Sequence, residues 1–461
     1  MTLKKKQEEE IILLSRNEEK EQPSLTREQR KRNISIISIN TFLAGSANAI
    51  YYILYAPYFR EINNSERLFG IVGTIASLVA LLGLIASDFL NELIGFKRVF
   101  IIAQMLIFSS FAFFIFRPTN IVWIIIAVLL LNFAFTLTES PGNIILTETA
   151  GEKRKGRVSS LVAFFGRLGD VLISIILVIS TFIINAEFEQ NLSNKERSYF
   201  FSYSTGVYLI ITIVAIFFLT NPLKIHNNKK RKTQKMEDRE RNIYPKKTTR
   251  KAARTIIRGT TFLRSFIETF KDKWVLRVAL TFLFDAILWG IGMGVYWAAM
   301  TDPLLLGQFA LVDKDISILS LISSSVVLLG MFPTGWLVDK IGAKTLLFSS
   351  EICGFAWAIC TIIFTFYPQF YWLLILSRIA IGSSIVLWIP STIALFTNVA
   401  PKRKSKVYNS IAIFRTIGYL PGGMIAGLLY DAIPQPYGFL TPLFILISGL
   451  FVLIPLFYTL S

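Results

Sequence analysis

Six ionisable side chains lie inside long apolar stretches of the sequence, where a charge is costly. A charged residue near the centre of a bilayer costs roughly 2.5–3.5 kcal/mol on insertion scales, so such residues are expected to have a function. Three are acids and three are bases, and the set could neutralise itself if the side chains converge. They are Glu139, Arg167, Asp170, Asp285, Arg378 and Arg415. The chemistry open to them is binding a polar solute or carrying protons across an apolar barrier.

Several of these residues also have a structural interpretation. Arg167 and Asp170 are three residues apart, so they share a helix face and could form a closed ion pair. Arg378 is expected to face a cavity. Arg415 could belong either to a gate or to a substrate site.

Two of the acids could carry protons, and two amides complete the candidate substrate and coupling set. Glu139 and Asp285 have no evident partner on their own helices, so either could carry a proton. Glu139 precedes Pro141, where a kink could open its helix toward a cavity. Asn40 and Asn48 are eight residues apart on one predicted helix face and could hydrogen-bond a polar solute. The alternative role, for at least one of them, is to hold helices together.

These residues must be positioned by helices that cross a membrane. Of the 461 residues, 53% are hydrophobic and 17% are charged, whereas soluble proteins average about 25% charged. Twelve apolar runs recur along the chain, each long enough to cross a bilayer of roughly 30 Å. Backbone polar groups in such runs must be satisfied internally, which predicts α-helices. The expected fold class is an all-α polytopic membrane protein.

The sequence contains a long internal repeat. Residues 148–169 and 397–418 show the same pattern, 249 positions apart. Each copy has a Lys-Arg-Lys cluster, another basic residue, and then an apolar stretch that ends at a glycine. Pro141 and Pro390 keep the same offset. Such a repeat is typical of transporters built from two homologous halves around a shared site.

Basic residues are concentrated on one side of the predicted membrane. The loops after the second, fourth, eighth and tenth spans carry 12 Lys and Arg, and the loops after the odd-numbered spans carry 6. The positive-inside rule therefore predicts that both termini are cytoplasmic. We expect the protein to lie in the plasma membrane. The predicted parts are a tail at 1–33, a six-helix bundle at 34–221, a basic cytoplasmic loop at 222–272 and a second six-helix bundle at 273–461.

The net charge of +18 could suggest nucleic-acid binding, but its location argues otherwise. Residues 222–272 hold 16 Lys and Arg against 5 acids, and a basic segment beside a membrane more commonly binds anionic lipid. We expect lipid contacts at this loop and no nucleic acid.

The cysteine and histidine residues of the sequence do not indicate a metal or cofactor site. Cys353 and Cys360 are seven residues apart on one predicted helix, too far for a mutual disulfide. His226, the one histidine, lies in the central loop. We expect no metal and no cofactor. The sequence also lacks a Gly-rich phosphate loop, so energy should come from an ion or solute gradient.

A ten-residue motif points to a family. Residues 335–344, Gly-Trp-Leu-Val-Asp-Lys-Ile-Gly-Ala-Lys, resemble the signature loop of the major facilitator superfamily, G-x-x-x-D-[RK]-x-G-x-[RK]. The loop falls between two predicted spans on the basic side, where the family has it. The match rests on Gly335, Asp339, Gly342 and Lys344, which the resemblance assigns to a cytoplasmic gate.

The first half has a degenerate copy of this loop. Gly95 and Lys97 match the second glycine and the last lysine at an offset of 247. Glu92 stands where the motif has its aspartate, and Asp88 stands where it has its first glycine. Because that glycine lets helices approach closely in the family, we expect Asp88 to change the cytoplasmic packing of the first half.

The internal repeat also resembles a family element, E-x6-R-G after span 4. Glu148 and Lys155 occupy the matching positions, and Arg157 follows them. In relatives this element joins an ion-pair network that holds the inward gate. Thr397 replaces the acid in the second half, so the network should be asymmetric.

The resemblance covers roughly residues 34–460 and implies 12 transmembrane helices in two pseudo-symmetric six-helix bundles. It further implies a cavity between the bundles and alternating access. We expect a monomeric secondary transporter, a symporter or antiporter and not an enzyme, for a small polar or amphiphilic solute. Intramembrane carboxyl groups without histidine favour coupling to protons. A charged cavity suits an anionic or zwitterionic solute, and abundant aromatic residues suit an amphiphilic one.

Three alternatives remain open at this level. A proton-drug antiporter is one, although span 5 lacks the proline of the G-x3-G-P-x2-G-G motif that such antiporters carry. A sensor or scaffold acting through its basic loop and tail is another. A membrane enzyme would need a clustered nucleophile, metal or acid-base set, and no such motif is found.

Overall fold

A computed structural model of the chain describes residues 26–63, 65–150, 155–184, 192, 194–220, 269–399 and 404–459. Within these residues, twelve helices are long and apolar enough to cross a membrane. The predicted fold class is therefore confirmed. Most of the predicted tail and of the basic central loop lies outside the described residues.

The twelve long helices form two successive sets of six. The first set is α1 Arg27–Ile62, α2 Glu66–Ile94, α3 Phe96–Phe116, α4 Ile121–Ala150, α5 Lys155–Ile184 and α6 Asn194–Phe218. The second set is α7 Lys273–Met293, α8 Asp313–Ile341, α9 Ala343–Phe366, α10 Trp372–Val399, α11 Lys404–Ala432 and α12 Tyr437–Thr459. Two short helices, Tyr296–Met300 and Pro303–Leu306, connect α7 to α8. The first helix thus begins seven residues before position 34.

Because successive spans run in opposite directions, α1 begins and α12 ends on one side of the helical bundle. We call this side, where α1 begins and α12 ends, the terminal face, and the other side the distal face. At the terminal face a capping box starts α1: Gln29 N donates to Thr26 Oγ1, and Thr26 N donates to Gln29 Oε1, both at 3.2 Å. Such a box satisfies backbone donors that a helix start leaves unpaired.

An identical glycine turn ends α2 and α8. Gly95 and Gly342 both have φ 89° and ψ 151°, a conformation that glycine adopts without steric cost. Their N–H groups donate to the carbonyl oxygens of Asn91 and Val338, at 3.1 Å in each case. The two copies of the motif loop therefore occupy equivalent places in the two halves.

The glycines that close the sequence repeat have one packing role. A Cβ atom at Gly169 of α5 would overlap the carbonyl oxygen of Phe42 in α1. A Cβ atom at Gly418 of α11 would lie 2.5 Å from the carbonyl oxygen of Leu283 in α7. Both glycines thus let two helices of the same half approach backbone to backbone. This close approach explains why both copies of the repeat have a glycine at this position.

The two halves meet along α2 with α11 and along α5 with α8. A Cβ atom at Gly70 of α2 would overlap the carbonyl oxygen of Gly423 in α11. One turn further, Met424 N donates to Thr74 Oγ1 at 2.9 Å. On the other side, the rings of Phe164 and Phe332 lie 5.0 Å apart. Glycine contacts therefore seal the α2–α11 seam in its distal half.

Candidate functional site

A cavity lies between the two halves. It consists of three adjoining spaces of about 440, 290 and 510 Å³. The middle space shares Thr136 and Glu139 with the first-half space, and Trp388, Arg415 and Tyr419 with the second-half space. The three spaces therefore form one cavity lined by both halves.

The cavity extends toward the terminal face. Its first-half wall includes Leu146 near the end of α4, Val162 near the start of α5 and Leu219 just beyond α6. These helix ends belong to the terminal face, so the cavity lies on that side of the closed distal seam.

The first-half wall carries polar side chains from α1, α3, α4 and α6. Asn48 Oδ1 accepts a 2.7 Å hydrogen bond from Tyr208 Oη, which ties α1 to α6. Asn40 is 5% exposed, and its Oδ1 accepts no hydrogen bond from a described residue. Glu139 is exposed to the cavity that it lines. The two amides thus differ: Asn48 links two helices, and Asn40 retains an acceptor without a partner among the described residues.

The second-half wall contains two buried carboxyl groups. Asp285 of α7 is 1% exposed, and neither of its oxygens has a hydrogen-bond partner among the described residues. Glu351 of α9 is fully buried and accepts a 3.3 Å hydrogen bond from Trp289 Nε1. The two carboxyl groups interact electrostatically with each other and with Arg415.

Arg415 lies where the two halves face one another. Its guanidinium carbon is 4.2 Å from the ring centre of Trp388, and its Nη2 donates to Tyr419 Oη at 3.2 Å. Arg415 also interacts electrostatically with Glu139 of the first half. Arg415 lines the middle and second-half spaces, and its role as gate or substrate contact stays a prediction.

Arg378 and the α5 pair are not among the described residues that line the three spaces. Arg378 is 3% exposed, with its guanidinium carbon 4.7 Å from the ring centre of Tyr296 and 4.3 Å from that of Trp297. It does not line any of the three spaces. Arg167 Nη1 and Asp170 Oδ2 form the closed pair that their spacing allows, at 2.8 Å.

The predicted terminal-face gate is described only in part. Gly95 and Gly342 form the two turns given above, and Gly335 and Lys344 flank the second turn in α8 and α9. Lys97 Nζ donates to the carbonyl oxygen of Ile216 at 2.8 Å. The side chains of Asp88, Glu92, Glu148, Lys155, Arg157 and Asp339 lie outside the described part of the structure, so their role in a gate stays a prediction.

One ion-pair cluster joins the halves at the distal face. Arg60 of α1 lies 2.5 Å from Asp302 Oδ1 of the second half and 3.5 Å from Glu66 Oε1 of the first. Its Nη1 also donates to the carbonyl oxygen of Ala298 at 2.8 Å. Asp302 Oδ2 accepts a 2.5 Å hydrogen bond from Tyr430 Oη. We call these residues the Arg60 cluster.

A second cluster joins the halves beside the first. Arg197 Nη2 lies 2.8 Å from Asp313 Oδ2, at the start of α8, and Arg197 Nη1 pairs with Glu61. Asp313 Oδ2 also accepts from the backbone N–H of Leu192 at 2.8 Å. Arg197 and Asp313 have 2% and 1% of their side chains exposed. The distal face is therefore closed by buried ion pairs between the halves.

Sequence reasoning missed Glu351 and both distal clusters. Glu351 had a usable signal, since it is a lone acid inside the apolar run of α9. The cluster residues had none, because they sit at helix ends, where charged residues are ordinary.

The comparisons with known proteins agree with this architecture. A model of the Major Facilitator Superfamily matches residues 37–301 and 282–461. Among solved structures, the chain is similar to the nucleoside transporter NupG, with 14% identity, a TM-score of 0.65, and coverage of 93% of this chain and 98% of that one. It is also similar to the E. coli fucose:proton symporter FucP, with 13% identity, a TM-score of 0.57 and the same two coverages. No match is found among curated proteins.

A third solved structure has the same overall arrangement. A bacterial homolog of the human lysosomal transporter Spinster, in an inward-facing and unoccupied conformation, is 12% identical with a TM-score of 0.62. The similarity covers 95% of this chain and 98% of that chain. At these identities the solved structures support the fold.

Proposed function

The chain belongs to the major facilitator superfamily, and on that premise we propose that it moves a small polar or amphiphilic solute across the membrane by alternating access, coupled to protons. The family consists of membrane transporters, so the protein is a multi-pass transporter and not an enzyme.

The observation that carries the proposal is the cavity between the halves. Secondary transporters of this plan bind their solute near the bilayer midplane, at the interface of two repeats. Glu139 of the first half and Arg415 of the second half both line the middle space. The largest space, about 510 Å³, falls within the usual range of small-molecule sites, roughly 300–1,000 Å³.

The excess of basic residues in the terminal-face loops supports cytoplasmic termini, and the plasma membrane is the location that we propose. With that orientation, the cavity faces the cytoplasm and the distal clusters close the outside. Solute would enter from outside after both clusters break and the halves rock apart at the distal face. The basic segment at 222–272 would meet anionic lipid, and the transporter would act as a monomer.

Buried carboxyl groups supply the proton coupling in this scheme. Asp285 and Glu351 lie in the membrane-spanning helices α7 and α9, and Glu139 faces the same cavity from α4. A carboxyl group that is neutral in one state and charged in the other moves one proton per cycle. Arg415, which interacts electrostatically with all three, would compensate their charge when the proton has left.

The test is uptake into proteoliposomes from a mixed metabolite pool, with and without an imposed pH gradient. We expect gradient-dependent accumulation or exchange of at least one solute. Asp285→Asn should abolish the gradient dependence. Asp272→Asn is the matched control, because Asp272 is an exposed N-cap of the same helix and asparagine caps equally well.

A sensor or scaffold predicts a different result. It would tolerate neutralisation of Glu139 and Asp285 and would give no uptake of any solute, with or without a gradient. That outcome, from protein shown to be folded by size-exclusion chromatography, would overturn the transport proposal.

A further inference from the structure

The second-half part of the cavity combines buried carboxyl groups with aromatic walls. We propose that the transported solute is an organic cation. Its positive group binds at Asp285, with Glu351 adding negative charge from behind Trp289, and its apolar body packs against Trp289, Trp388 and Tyr419. This inference rests on the transport function proposed above.

The charges on the cavity wall favour a cation. Among the described residues that line the three spaces, Glu139 and Asp285 are acids and Arg415 is the one base. Glu351 adds a third acid behind Trp289, whose indole N–H it accepts. With the carboxyl groups ionised, the acids exceed the base by two, so an anionic solute would be repelled and a cation would be attracted.

The other intramembrane bases do not cancel this excess. Arg167 is paired with Asp170 on α5. Arg378 packs against the rings of Tyr296 and Trp297. Neither lines the three spaces, so the excess remains local to the cavity.

The hydrogen bonding of Asp285 leaves both of its oxygens available to a cationic solute. Its side chain is 1% exposed and lines the largest space, yet both oxygens lack a hydrogen-bond partner among the described residues. Glu351 Oε1 is likewise without one. An ionised carboxyl group buried without a partner costs several kcal/mol. Arg415 offsets part of this charge, and either a proton or a bound cation can neutralise the rest, so the two would compete for one place.

Aromatic side chains complete the site. Trp289, Trp388 and Tyr419 line the same space as Asp285. Trp289 is fixed by its hydrogen bond to Glu351 and by stacking on Trp357, with ring centres 5.7 Å apart. Aromatic faces attract organic cations, including quaternary ammonium groups, most strongly where water is excluded. Carboxyl groups alone would also accept a metal ion, and the aromatic walls favour an organic one.

The groups that face Asp285 determine how protons would compete with the cation. They are Glu351 from α9, and Arg415 and Tyr419 from α11. Acidification neutralises the carboxyl groups and leaves Arg415 charged, so the site becomes repulsive to a cation. Cation affinity should therefore fall as the pH is lowered.

The test is isothermal titration calorimetry on the purified full-length protein with four probes that share one phenyl ring. They are benzyltrimethylammonium (cation), benzyl alcohol (neutral), benzoate (anion) and phenylalanine (zwitterion). We expect the cation to bind at least tenfold more tightly than any of the other three at pH 8. Its affinity should fall at least tenfold between pH 8 and pH 5.

Variants assign the effect to the site. Asp285→Asn should weaken cation binding at least tenfold and flatten its pH dependence, whereas Asp272→Asn should leave both unchanged. Glu351→Gln should weaken binding in the same direction. If a cavity variant fails to fold, the comparison of the four probes on the wild-type protein still tests whether the site prefers a cation.

Equal or tighter binding of benzyl alcohol, benzoate or phenylalanine would overturn the inference, and so would absence of cation binding. The proteoliposome experiment separates this failure from failure of the transport proposal. Gradient-driven uptake of an anionic or neutral solute would support the transport function and refute the proposal that the solute is an organic cation. Absence of uptake of any solute would remove the transport function itself.

Discussion

Replacing Arg60 with methionine should shift the protein toward conformations that are open at the distal face. The side chain of Arg60 is 13% exposed, and those of Asp302 and Glu66 are 2% and 4% exposed, so the cluster is buried. Methionine keeps much of the side-chain length and removes the charge. The substitution destabilises the distally closed state, which contains these ion pairs, and not the distally open state, in which we expect them to be broken. The open state therefore becomes more populated.

The magnitude follows from what remains after the substitution. Removing one partner of a buried ion pair typically costs about 3–5 kcal/mol, because the other charge is left uncompensated. Asp302 keeps two donors, Tyr430 Oη at 2.5 Å and the backbone N–H of Leu304 at 2.8 Å. We therefore take the lower end, about 3 kcal/mol, which is a shift of roughly 100-fold. A distally open population of about 1% would rise to about half.

The assay is a distance measurement by double electron–electron resonance across the distal face. Spin labels at Lys195→Cys and Leu304→Cys place one label on each half, at exposed positions, in a background without Cys353 and Cys360. Arg60→Met should add a longer distance to the distribution. Arg117→Met, which removes an exposed distal arginine, should not. An unchanged distribution in folded Arg60→Met protein would refute the role of the Arg60 cluster as a closure.

Two further predictions concern packing and the polar wall. Gly418→Ala should lower the unfolding temperature, because the added Cβ meets an α7 carbonyl oxygen at 2.5 Å and overpacking typically costs about 1–3 kcal/mol. Gly73→Ala, with nothing within 4 Å, should not lower it in the same thermal denaturation scan; equal losses would contradict the packing argument. Asn48→Ala should also lower the unfolding temperature, since Tyr208 loses its acceptor. Asn40→Ala should instead weaken solute binding with little effect on unfolding, and a reversal of these two effects would refute the roles given to the amides.

The helices and the repeat could be predicted because a bilayer imposes a strong pattern on sequence. A span must be apolar over its whole length, so the twelve helices are visible without any packing information. The turns at Gly95 and Gly342 also leave a mark on the sequence. Their backbone has a φ of 89°, which glycine adopts without steric cost, so a glycine stands at both equivalent positions. The ion pair of Arg167 with Asp170 follows from helical spacing alone.

The residues that join the halves could not be predicted in this way. Arg60 and Asp302 are 242 positions apart, and their pairing depends on how two bundles meet. The expected cavity role of Arg378 stays a prediction, and its contacts with the rings of Tyr296 and Trp297 are ones that its place inside a span does not reveal. Glu351 could have been identified, because the criterion that selected Asp285 applies to it equally.

The most direct test of the central claim is proton movement driven by a solute gradient. Once uptake has identified a transported solute, that solute is added to proteoliposomes containing a trapped pH-sensitive dye, with no initial pH gradient. We predict an immediate change in luminal pH, absent in Asp285→Asn and retained in Asp272→Asn. Solute uptake without any change in luminal pH would contradict the account.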